Sequence, residues 1–188
     1  RLADMDTALA AAIKADNGNN LQEAARQAGI ATLCASVINI ANTMAISMKA
    51  QADDPKQFNA RLKAGLDELK TKLEALGIKD ATPETIAFKM TEAFDRLQRA
   101  STAIANKDYD TASYLAGIAQ TKMSIVSSVL TRGDIENDKK LGKYTFEESK
   151  DKDSSEANNK INELKKTFTD RLADMDTALA AAIKADNG

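Results

Sequence analysis

Apolar residues recur along most of this chain at the three-and-four spacing of an amphipathic helix. The longest stripe is Ile161, Leu164, Phe168, Leu172, Met175, Leu179 and Ile183, with steps of 3, 4, 4, 3, 4 and 4. It predicts one continuous helix from near Ser155, where Glu156 suits the positive end of the helix dipole, to Asn187-Gly188. Phe58, Leu62, Leu66, Leu69, Leu73 and Leu76 form a second stripe. Asp54-Pro55 opens it and Gly77 closes it, with Ile78 set to fold back on the last turn. Thr82-Pro83 opens the next helix, which carries Ile86, Met90, Ala93, Leu97 and Ile104 as far as the break at Asn106-Lys107-Asp108. Asp108 then caps a helix with Ala112, Leu115, Ala119, Met123, Val126 and Leu130, which Gly133 is expected to close.

Nearer the start, Asn20 and Glu23 have the spacing of an N-x-x-E capping box, heading a helix that runs to the neighbourhood of Ala50. Its stretch from Gln27 to Met48 carries no charge and is long enough to cross a bilayer. Gln27, Thr32, Ser36, Asn39, Asn42, Thr43 and Ser47 spread polar groups through it. It reads instead as a central helix wrapped by others, not a transmembrane span, with Asn39 and Asn42 as buried amides that set register. Cys34 reads as a small buried hydrophobe. Residues 134–154 mix charges of both signs, with Leu141, Tyr144 and Phe146 as apolar exceptions. They read as a charged linker or surface loop, part of it tacked down by Tyr144 and Phe146 in a short extended segment. The predicted fold is all-α. An antiparallel up-down bundle of four or five helices fills 1–133, the linker 134–154, and 155–188 is the first helix of a next repeat.

The repeat is explicit. RLADMDTALAAAIKADNG at 1–18 returns unchanged at 171–188, so position n has its twin at n + 170. Identity over all 18 positions implies a recent common origin, in a tandem array or in an engineered duplication. A period of 170 residues is the size of a whole domain, not of a solenoid repeat of roughly 20–50. The first copy enters in mid-stripe, with Leu2, Met5, Leu9 and Ile13 as the second half of its helix. The natural domain is therefore expected to begin near residue 155 of a preceding repeat. Two copies then compete for one groove, so residues 155–186 of one chain are expected to pack on helices of the next. That contact would be a swapped oligomer or the continuation of an array.

Composition narrows the chemistry. Among 188 residues there are no histidines, no tryptophans and one cysteine, with 8 glycines, 2 prolines and a net charge of −2. Imidazole catalysis, histidine metal sites and intrachain disulfides are excluded, and the charge lacks a nucleic-acid footprint. No catalytic residue, metal or cofactor is expected. Asp4, Asp6 and Asp16, repeated as Asp174, Asp176 and Asp186, lack calcium-loop spacing and read as a solvated outer face. Met5, Met44, Met48, Met90 and Met123 sit at core spacing and read as gap-fillers. In pattern, Leu9–Leu33 and Pro83–Lys122 resemble the helices of the small periplasmic b-type cytochrome bundles, which implies a helical bundle. That family ligates haem through Met and His, and this chain has no histidine to offer.

Arg132-Gly133-Asp134 resembles the integrin-recognition tripeptide and falls where a loop is predicted. The plainer reading makes Gly133 a helix C-cap, Arg132 a complement to the helix dipole and Asp134 the start of the linker. The expected function is that of a structural or adhesive tandem-repeat domain, a spacer in a long extracellular, cell-surface or filament-forming protein. Its main partner is itself, head to tail, and the tripeptide would add a host or matrix receptor. The alternative is a single helical-bundle binding or chaperone-like protein, periplasmic, whose terminal duplication is engineered.

Overall fold

A computed structural model describes residues 2–18, 20–141 and 155–187. The chain is all-α. Its helices are α1 (Leu2–Asn17), α2 (Leu21–Asp53), α3 (Pro55–Ala75), α4 (Pro83–Ala105), α5 (Tyr109–Lys140) and α6 (Ser155–Asn187), and no strand occurs among the described residues.

Local chemistry sets most of the boundaries. At the head of α2 the Asn20 side chain accepts from the Glu23 N–H at 3.2 Å. The expected return bond of the capping box is replaced: the Glu23 carboxylate instead accepts from Arg26 at 2.7 and 2.8 Å and from Gln27 at 2.7 Å. Those bonds, Arg26 first, hold the Glu23 carboxyl down at about 2. A reciprocal cap does form at α4, where the Thr82 N–H donates to Thr85 Oγ1 at 2.8 Å and the Thr85 N–H donates to Thr82 Oγ1 at 3.2 Å. Helix α3 ends as expected. Gly77 adopts φ 76°, its N–H reaches the Glu74 carbonyl at 3.0 Å, and the Ile78 N–H reaches that of Leu73 at 2.9 Å. Helix α4 ends with the same pair of bonds around Lys107, which takes φ 60° without being a glycine. Asp108 both completes that turn and caps α5, accepting from the Thr111 N–H at 3.2 Å.

The chain divides into two compact units. The first comprises Arg1–Pro55 and Ala87–Val126, the second Lys56–Ile86 and Ser127–Gly188. In the first, α1 packs on α2. Its core takes Ile30, Cys34, Val37, Ile40 and Met44 from α2, Met90 and Ala93 from α4, and Leu115, Ala119 and Met123 from α5. In the second, Phe58, Leu62, Leu69 and Leu73 of α3 are buried along with Ile86, Val129, Leu179 and Ile183.

Two expectations are overturned. Helix α2 is buried on one stripe only, Ile30, Cys34, Val37, Ile40, Met44 and Ser47, while Asn39 and Asn42 are exposed and Ile46 is 71% exposed. It is not wrapped by others, and its amides are not buried. Most of the remainder is small or polar, although Leu21, Ile46 and Met48 are also exposed. Length and composition alone would still let α2 cross a membrane.

Helix α5, for its part, does not end at Gly133. It runs to Lys140, so the first seven residues assigned to a linker are helical. Gly133 lacks the positive φ of a helix-terminating glycine. The mixed charges that suggested a loop pair along the helix instead, Arg132 with Glu136 at 3.3 Å and Lys139 with Glu136 at 2.8 Å. Residues 142–154, including Tyr144 and Phe146, lie outside the described residues.

Candidate functional site

The feature of this chain with most to say about function is the duplicated segment, so the site is the pair of surfaces on which its copies dock. In the second unit, α6 is graded along its length. Leu164 is 60% exposed, Ile161, Phe168, Leu172 and Met175 are half-buried, and Leu179 and Ile183 are buried. The apolar stripe therefore packs most completely over the repeated residues.

Beside that stripe lies a group of charges. Asp176, expected on a solvated face, is only 4% exposed and accepts from Lys72 Nζ at 2.9 Å. Arg132, itself buried, brings Nη2 to 3.8 Å from Asp176, 3.3 Å from Glu136 and 3.9 Å from Glu68. Arg132 Nε and Nη1 and Asp176 Oδ1 are buried with no hydrogen-bond partner among the described residues. Desolvating such a group consumes much of its Coulombic gain. An apolar side chain at position 176 would take the carboxylate from Lys72 and leave Arg132 to Glu136 and Glu68. Spacing gave one hint of this: Asp176 stands four residues after Leu172 and three before Leu179, on the flank of the stripe.

The Arg-Gly-Asp tripeptide lies in this same unit, inside α5 and not in a loop. Asp134 holds the Arg61 guanidinium through two bonds of 2.6 Å. A Cβ on Gly133 would run into the Arg61 backbone, and one on Gly65 into the Val129 carbonyl. The two glycines therefore let α3 and α5 touch backbone to backbone. Gly133 admits a neighbour here; it does not end a helix. The crossing role of Gly65 carries no local signal in the sequence.

In the first unit the same eighteen residues sit differently. Ala8 and Ala12 are buried at 4% and 8% exposure. Leu2, Leu9 and Ile13, expected to face the core, are 62%, 49% and 55% exposed, and Met5 is half-buried. Asp6, the twin of Asp176, is exposed.

Other concavities are open clefts. One in the first unit is lined by Arg26, Ile30, Leu33, Tyr109 and Ser113, another in the second by Lys63, Asp67, Lys70, Glu74 and Glu84. Among the described residues no group of three or more Cys, Asp or Glu is placed to hold a metal ion. Fold and site together define an all-α chain in which one helical segment occurs twice. Comparison with known proteins brings no matching family model, curated protein or solved structure.

Proposed function

We propose that this chain is a structural repeat module, a helical bead whose copies stand head to tail in a long fibrous protein. The observation that carries the reading is that one identical segment is helical in the first unit at Leu2–Asn17 and in the second at 172–187. A segment that packs on both units of its own repeat is suited to joining one repeat to the next. The connection of three residues between α4 and α5 supports antiparallel packing of those two helices within the first unit. The exposed Leu2, Leu9 and Ile13 support self-association, because an apolar stripe in water favours a partner. A spacer of this kind needs no catalytic group or cofactor. The parent gene tests the proposal: further tandem copies of the 170-residue unit are expected, and a single copy overturns it.

The first-unit cleft around Arg26, Ile30, Leu33 and Tyr109 favours a second reading, a helical binding module. A ligand that raises the melting temperature of the wild-type chain but not of Leu33→Lys would support that reading over the first.

A further inference from the structure

We infer that residues 171–188 form a two-faced connector. One face seats in the second unit of its own repeat while the adjacent face seats in the first unit of the following copy. The inference rests on the array reading and names the partner, a second copy of this chain, and the residues that meet it.

The two copies show each face in turn. In α6 the buried residues are Asp176, Leu179, Ala180 and Ile183, whereas Ala178 is exposed and Ala182 only half-buried. In α1 the pattern is exchanged: Ala8 and Ala12 are buried, and Asp6, Leu9, Ala10 and Ile13 are exposed. Each face left open in one copy is the face covered in the other. The centres of the two faces lie about 130° apart around the helix, so they adjoin, meeting near Ala182, the twin of Ala12. Met5 and Met175, on the border between them, are half-buried in both copies.

Because the sequences are identical, each surface already shows what it accepts. The second unit takes the Leu-Ile face and offers Lys72 and Arg132 to the carboxylate at 176, which Asp6 would present from another copy. The first unit, through α2, takes the alanine face. A connector placed between two repeats would satisfy both at once, and it would cover the Leu9 and Ile13 side chains that the single chain leaves in water.

The test joins residues 1–170 ahead of a full 188-residue copy, so that one segment serves as the end of the first repeat and the start of the second. Single cysteines replace Ala178 or Leu179 in that connector, and their maleimide labelling is compared with Ala178→Cys and Leu9→Cys in the single chain. Both are expected to label readily in the single chain and about tenfold or more slowly in the connector. If the helical signal of the joined chain rises in proportion to its length but either connector cysteine keeps its single-chain rate, the connector is overturned while the array reading stands. If that signal falls short of the rise in length, the array reading falls and the connector with it.

Discussion

Residues 2–17 and 172–187 share one sequence and one secondary structure, yet they bury different side chains. In α6 the large residues Leu179 and Ile183 go inward, and in α1 the small residues Ala8 and Ala12 do. The same carboxylate is an ion-pair partner as Asp176 and exposed as Asp6. Helix formation in this segment is thus independent of which face is covered. A face of Leu and Ile fills a groove, whereas a face of Ala lets a neighbouring helix approach closely. The surface that meets the segment makes the choice.

The comparison can be broken most directly by paired substitutions. Ile183→Ala should destabilise by about 2–5 kcal/mol through lost burial and the cavity left behind. Ile13→Ala, the same change in the same local sequence, should stay within about 0.5 kcal/mol. Denaturant melts of the two variants decide it, and equal shifts would remove the contrast.

A smaller effect is expected for the charge. Asp176→Ala removes one of the three carboxylates around the buried Arg132, which keeps Glu136 at 3.3 Å, and Lys72 keeps access to water at 41% side-chain exposure, so a loss of about 1–3 kcal/mol is expected. Asp6→Ala should fall within about 0.5 kcal/mol, since nothing buried depends on it. The smallest contrast sharpens the comparison from the opposite side. Ala8→Leu overfills the α1–α2 contact and should cost about 1–2 kcal/mol, because α1 can yield outward. Ala178→Leu should be neutral in thermal melts of the single chain, where that position is exposed.

The capping positions were legible because their chemistry is local. Asn20, Asp108, Thr82-Pro83 and Gly77-Ile78 stand where the helices begin and end, since each satisfies backbone groups within a few residues of itself. The stripes of α3, α4 and α5 were legible too, because a helix stable only through packing must place its apolar residues on one side. Lys107 shows where such reading stops: nothing in its side chain announces the left-handed conformation that glycine supplies at residue 77.

The sequence by itself determined that this chain is helical, where most helices start and stop, and that one segment occurs twice. Tertiary structure alone decided which face each copy covers, that α2 is buried on a single side, and that Gly133 receives a backbone instead of ending a helix. The division has a physical cause. Spacing and capping act over three or four residues and can be read along the chain. Burial, close backbone approach and charge pairing are set by residues far away in sequence, as Arg61 meets Asp134 and Lys72 meets Asp176. Two identical helices can therefore carry the same local instructions and still pack on different surfaces.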